Sequence, residues 1–176
     1  MEMRLIPACD HPKETGILFS EYTNMLIAGD RAFEQYLEIQ HYEEELKHLE
    51  EKYGPPAGRL YLAYLGMESG AEGKQAGELA GCIGLRRLDD ERCEMKRLYV
   101  RPAFRGKGIG GRLIRQVVAD AREIGYTYML LDTLPFLEDA LRMYKEFGFY
   151  EIPCYNDSPM ESSIYMRLDL SGEKKL

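Results

Sequence analysis

One stretch constrains this chain more than any other: Arg105-Gly106-Lys107-Gly108-Ile109-Gly110-Gly111. It follows an apolar run, Leu98-Tyr99-Val100. It leads into a segment whose apolar members, Ile114, Val117, Val118, Ala121 and Ile124, recur at helical spacing as far as Gly125. The pattern predicts a strand, a glycine loop and an amphipathic helix in direct succession. Such a junction favours anions. Glycines let the backbone approach closely, the first helical N–H groups lack partners, and the helix dipole attracts negative charge. Between Met95 and Ala119 there are seven basic residues (Lys96, Arg97, Arg101, Arg105, Lys107, Arg112, Arg115) and no acid, in a chain of formal net charge −7. The segment is therefore expected to hold phosphate groups.

With 176 residues, the chain is expected to form a single domain over 1–170 with a polar tail at 171–176. Its first residues, Met1 to Pro7, carry too short an apolar run for a signal peptide, and no stretch approaches the roughly 18 apolar residues of a membrane span. Cys9, Cys82, Cys93 and Cys154 show no Cys-x-x-Cys spacing, which fits reduced thiols in a cytoplasmic protein. The acidic balance argues against a nucleic-acid binder, while a local basic patch can still grip a small polyanion.

Met3–Pro7 reads as a first strand, followed by a helix from Pro12 to Leu26 capped by Asp10. A second helix is expected from Asp30 to Tyr53, with Ile39, Tyr42, Leu46, Leu49 and Tyr53 on its buried face. Gly54-Pro55-Pro56 ends it. Strands follow at Arg59–Gly66, Leu79–Leu88 and Cys93–Val100, the first two separated by a long hairpin loop over Met67–Glu78. After the glycine loop and its helix come a strand at Tyr128–Asp132, a helix from Pro135 to Phe147, and strands at Phe149–Ile152 and Ile164–Leu170. The order β-α-α-β-β-β-α-β-α-β-β implies an α+β fold: a mixed, mostly antiparallel sheet with a parallel central strand pair.

Two familiar phosphate motifs compete for the loop. A Walker loop needs Lys-Ser or Lys-Thr after its glycines, and neither pair is present. Gly106, Gly108 and Gly111 satisfy the Gly-x-Gly-x-x-Gly dinucleotide fingerprint, with Asp132 at the expected distance. Against it, several strands precede the loop, Arg101-Pro102-Ala103-Phe104-Arg105 separates strand from glycines, and little chain remains after Asp132 to complete a nicotinamide-binding half.

Arg105-x-x-Gly108-x-Gly110 resembles the Arg/Gln-x-x-Gly-x-Gly/Ala loop of the GNAT superfamily of N-acetyltransferases. Its flanks resemble that family too: Glu94-Met95-Lys96-Arg97-Leu98-Tyr99-Val100-Arg101-Pro102 before it, and Ala140 to Phe149, with Tyr144 and Gly148-Phe149, after it. The resemblance implies a GNAT-like sheet flanked by helices on both faces, and acetyl-CoA as the donor. The donor's pyrophosphate would sit on the amides of Arg105, Gly106, Lys107, Gly108, Ile109, Gly110 and Gly111. Its pantetheine arm would pair with the segment Leu98, Tyr99, Val100, since an extended amide chain needs free backbone partners. No metal is implied. The acceptor would be a small-molecule or protein amine, and dimers are common in similar proteins.

Acyl transfer to an amine of pKa about 10.4 requires something to take its proton. By resemblance Glu94 is a candidate base and Tyr144 the acid near the CoA sulfur. Read as residues alone, Glu94 is equally a strand glutamate paired with a neighbouring base, and Tyr144 a packing residue. Asp132 is a second carboxylate candidate, or an anchor for the turn Thr133-Leu134-Pro135. Tyr36, Tyr155 and Asn156, with Tyr22 and Phe33, are candidates to line the acceptor pocket. Glu43-Glu44-Glu45 reads as helix surface, and the spacing of His41, Glu45 and His48 reads as a solvated face rather than a metal site. A catalytically silent acyl-CoA-binding regulatory module and an NAD(P)-binding oxidoreductase remain as alternative functions.

Overall fold

A computed structural model describes residues 2–34, 42–66, 77–158 and 160–171. In chain order its elements are β1 (Met3–Pro7), α1 (Pro12–Gly29), α2 (Tyr42–Lys47), α3 (Leu49–Tyr53), β2 (Arg59–Leu65), β3 (Glu78–Arg87) and β4 (Arg92–Val100), then α4 (Ile109–Ile124), β5 (Tyr128–Thr133), α5 (Glu138–Glu146), β6 (Tyr150–Ile152) and β7 (Ile164–Asp169). The strands form one sheet in the order β1-β2-β3-β4-β5-β7-β6. β4 and β5 run parallel and every other neighbouring pair is antiparallel. This is the mixed α+β sheet expected from the order of elements.

Local details differ from expectation for identifiable reasons. Asp10 does not cap α1. His11 occupies the cap position without a side-chain bond, and the Thr15 hydroxyl instead donates to the carbonyls of Ala8 and His11, at 3.1 and 2.8 Å. The second helix breaks at His48 into α2 and α3. α5 starts at Glu138 rather than Pro135, because a turn closed by Leu137 N–H donating to the Leu134 carbonyl at 3.0 Å intervenes. Residues 35–41, with Tyr36, Ile39 and His41, lie outside the described residues, as does most of the long hairpin loop, at 67–76.

Helices cover both faces of the sheet. On one, α4 buries Leu113, Ile114, Val117, Val118 and Ala121 against Ile83, Leu85, Met95, Met129 and Leu131, with Tyr144 of α5 beside them. On the other, Leu18 and Phe19 of α1 and Leu49 and Tyr53 of α3 pack on Leu60, Leu62, Cys82 and Tyr99. Fully burying a leucine- or phenylalanine-sized side chain contributes about 1.5–3 kcal/mol, so each layer is held by several such groups. Gly84 makes room for one of them: a Cβ there would lie 2.8 Å from the Tyr53 ring.

Two irregularities of β4 position the site. The first is a bulge. Arg97 has φ 59°, and the register with β3 slips between Cys82 and Gly84, so that Arg97 and Leu98 together oppose Ile83. A bulge places two successive side chains on one face. Cys93, Met95, Leu98 and Val100 thus serve the α4 layer, while Arg97 and Tyr99 join Lys96 on the α1 side. The second is a splay. β5 pairs with β4 only from Arg92↔Tyr128 to Glu94↔Leu130. Beyond Glu94 the parallel strands part, leaving a wedge-shaped opening in the middle of the sheet.

Candidate active site

The opening between the two strands is the centre of the site. Two cavities reach it. The larger, about 1390 Å³, runs along Leu98, Tyr99 and Val100, past Phe104 and Arg105, to the glycine loop, with α5 as its far wall. The smaller, about 610 Å³, lies in the splay and is lined from β4 by Met95, Lys96, Arg97 and Leu98, and from β5 by Leu131, Asp132 and Thr133. Both are bounded by Tyr22, Leu98, Leu137 and Tyr144. A group bound in one therefore meets a group bound in the other across these four residues.

The loop end of the larger cavity is an anion cradle by construction. Gly106 and Gly108 both sit at φ +75°, where a side chain is strained, and nothing lies within 4 Å of where their Cβ atoms would be. Gly108 caps α4 without a side-chain hydrogen bond. The first helical bond is donated by Arg112 N–H to the Gly108 carbonyl at 3.1 Å, so the N–H groups of Ile109, Gly110 and Gly111 have no acceptor within the helix. The guanidinium of Arg105 folds back to donate to the Val100 carbonyl at 3.0 Å. Arg101 N–H donates to Ala80 of β3 at 2.9 Å, so by ladder alternation the backbone groups of Leu98 and Val100 face the splay. This edge is available to an extended amide chain.

Tyr144, 7% exposed, stands where the cavities join. Among the described residues its hydroxyl makes no hydrogen bond. Burial raises its pKa, and Tyr22 and Asp132 raise it further, so the group stays protonated. Tyr22 of α1 packs 5.9 Å from the Tyr99 ring, and burial pushes its pKa up to about 12. α1 itself is fixed to the end of β4, where Arg101 makes a two-pronged bond to Glu21 at 2.9 and 2.7 Å and a third to the Leu79 carbonyl at 2.9 Å.

The carboxylates divide sharply. Glu94 is 1% exposed and enclosed by Arg86 Nε at 2.7 Å, Lys96 Nζ at 3.5 Å and the Tyr155 hydroxyl, which donates at 2.7 Å. Burial alone would raise its pKa, but the charges of Lys96 and Arg86 and these hydrogen bonds outweigh it and hold the carboxyl below its usual range. Glu94 lines neither cavity. Asp132 does line the smaller one, and Asn156 Nδ2 donates to it at 3.4 Å. Next to it, the Thr133 hydroxyl is buried with no hydrogen-bond partner among the described residues.

The fold is shared with solved acetyltransferases. An acetyltransferase of Streptococcus agalactiae superposes with a TM-score of 0.69 at 20% identity, covering 95% of this chain and 98% of that one. A Bacillus anthracis protein solved in complex with acetyl coenzyme A has the same fold over 68% of this chain and 66% of its own, with a TM-score of 0.53 at 24% identity. In sequence, an uncharacterized N-acetyltransferase of Schizosaccharomyces pombe is 37% identical over 136 residues, 77% of this chain and 78% of the relative. The profile of the acetyltransferase (GNAT) family matches residues 28–149. The chain belongs to this family.

In this GNAT chain the structure brings Leu98, Tyr99, Val100, Arg105, Gly106, Gly108, Ile109, Gly110, Gly111 and Tyr144 around one cleft. The Lys107 ammonium lies 5.3 Å from the Phe104 ring centre, on the same loop. Tyr155 and Asn156 reach the splay indirectly, as hydrogen-bond partners of Glu94 and Asp132. Tyr36 lies outside the described residues.

Glu45 needs correcting. Far from being helix surface, it is 6% exposed, bonded twice by Arg97, whose Nε lies 3.3 Å from Oε1, and approached by Lys52 at 3.3 Å. The Tyr53 hydroxyl donates to it as well. Its position three residues after Tyr42 and four before Leu49 already placed it on the buried stripe, a signal that the run of three glutamates masked. Lys96, Arg97 and Thr133 also belong to the site without having been chosen from sequence. Only the bulge and the splay bring them together.

Proposed function

We propose that this GNAT protein transfers the acetyl group of acetyl-CoA to a primary amine, by direct attack in a ternary complex held in the splay. The meeting of two cavities at Tyr144 carries this reading. The larger ends in a phosphate cradle and has an open strand edge along its length; the smaller is lined in part by charged and hydroxyl-bearing side chains, among them Lys96, Asp132 and Thr133. Donor diphosphate on the loop amides and pantetheine along Leu98 and Val100 place the thioester next to Tyr144. Arg105 then exchanges its bond to the Val100 carbonyl for the ligand.

The amine nitrogen attacks the thioester carbonyl carbon, the C–N bond forms, and the C–S bond breaks to release thiolate. The amine proton passes to Asp132, the carboxylate that lines the acceptor cavity. Glu94, committed to Arg86, Lys96 and Tyr155, braces the wall of the site. Tyr144 faces the departing sulfur. Its raised pKa opposes complete proton transfer, so it contributes a hydrogen bond that strengthens as charge develops, and solvent at the cleft supplies the final proton.

Thermal-shift measurements with acetyl-CoA, NAD and NADP, followed by thiol-release assays over an amine panel, test the reading. Stabilisation by NAD in place of acetyl-CoA sinks it. Stabilisation by acetyl-CoA without thiol release on any amine favours the silent acyl-CoA-binding module.

A further inference from the structure

The smaller cavity is charged in a way that a plain amine does not need. Its β4 wall presents Lys96, whose side chain is 10% exposed, and its β5 wall presents Asp132. Behind the β4 wall, cations outnumber carboxylates among the described residues. Glu94 is shared between two cations, Arg86 and Lys96, and Glu45 between another two, Arg97 and Lys52. Among the described residues, four cations thus face two buried carboxylates on this side. Burial lowers the pKa of Lys52 to about 8; Glu45 works against this, and Lys96, Arg97 and Arg86 push it down further. The Thr133 hydroxyl, 7% exposed and without a partner among the described residues, lines the same cavity. A buried hydroxyl left unbonded is destabilising, and a polar ligand would relieve it.

We propose that the acceptor is an amino acid, a small molecule carrying both an amine and a carboxylate, whose carboxylate faces Lys96 and whose amine faces Asp132 and Tyr144. This rests on the acetyl-transfer reading and narrows its substrate class. A cation on one arm of the splay and an anion on the other complement a zwitterion. The surplus positive charge behind β4 repels polyamines, even though the chain as a whole is acidic.

The test is a thiol-release assay with acetyl-CoA on a panel of α-amino acids, each paired with its α-carboxamide, plus spermidine as a polycation. The proposal expects at least one acid to exceed its amide by about tenfold or more in kcat/KM, the scale of one charged hydrogen bond. Lys96→Met lowers kcat/KM for the acid more than for its amide and so abolishes that preference, and Lys96→Arg restores it. Equal rates within pairs, turnover of amides or spermidine alone, or no turnover across the panel overturns the proposal. If Lys96→Met fails to fold, the wild-type pairs decide alone. A protein that acetyl-CoA itself does not stabilise in a thermal shift sinks instead the reading on which this rests.

Discussion

Replacing Glu45 with glutamine removes one buried charge and leaves the side chain's shape. In the folded protein burial raises the pKa of Glu45, but the charge and hydrogen bonds of Arg97, with help from Lys52 and Tyr53, outweigh it and bring the pKa from 4.5 to about 2. The difference corresponds to about 3 kcal/mol of stability. The cost of breaking a buried ion pair, about 3–5 kcal/mol, agrees. Because the folded-state pKa is the lower one, the contribution is complete above about pH 4.5 and is lost as the pH falls towards 2. Glu45→Gln resembles the protonated state at every pH. Urea unfolding of both proteins at constant ionic strength should therefore show a gap of about 3 kcal/mol at pH 7, narrowing by about 1 kcal/mol at pH 4 and about 2 kcal/mol at pH 3. In melting temperature the neutral-pH gap is roughly 6–12 °C for a chain of this size. Other carboxylates titrate alike in both proteins and cancel in the difference. A gap below 1 kcal/mol at pH 7, or one that stays constant as the pH falls, would refute the assignment of Glu45 to a stabilising buried pair.

Three further outcomes bear on the site. Tyr144→Phe should lower turnover by about 10²-fold with acetyl-CoA affinity nearly unchanged; titration calorimetry beside steady-state rates separates the two, and unchanged turnover removes Tyr144 from the chemistry. Gly108→Val forces a branched residue to φ +75° and fills the cradle, so the thermal shift given by acetyl-CoA should vanish while the far-ultraviolet spectrum persists; a full shift would move the phosphate site elsewhere. Asp132→Asn should lower turnover by about 10²-fold or more, whereas Glu94→Gln should leave turnover largely intact and cost about 3 kcal/mol of stability. The opposite pattern would return the role of base to Glu94.

The glycine loop and the helices around it were legible because local rules govern them. Gly106 and Gly108 take left-handed backbone that other residues avoid, Gly125 ends α4 in the same conformation, and the apolar spacing from Ile114 to Ala121 fixes a buried face without reference to the rest of the chain. The charged surroundings of the smaller cavity were not legible, because they are made of distant pairings. Glu45 meets Arg97 across 52 positions, and Tyr155 meets Glu94 across 61. Nothing in either neighbourhood signals the partner. A glutamate among glutamates reads as solvent-facing until the cation above it is known, and Asp132 reads as a turn residue until β4 and β5 are seen to part beside it.

The bulge at Arg97 acts on β4 as an inserted letter acts on a reading frame. Ahead of it the odd-numbered residues Cys93 and Met95 belong to the α4 layer; past it the even-numbered Leu98 and Val100 do. One strand thereby feeds a buried charge network and an open edge leading to the glycine loop, which strict alternation would set on the wrong sides. Flattening the bulge with Arg97 still in place would exchange the surroundings of every side chain from Arg97 onward, whereas deleting that one residue would leave Leu98, Tyr99 and Val100 on the faces they hold now. In β4 the bulge, rather than the alternation of the sequence, therefore decides which layer each side chain serves.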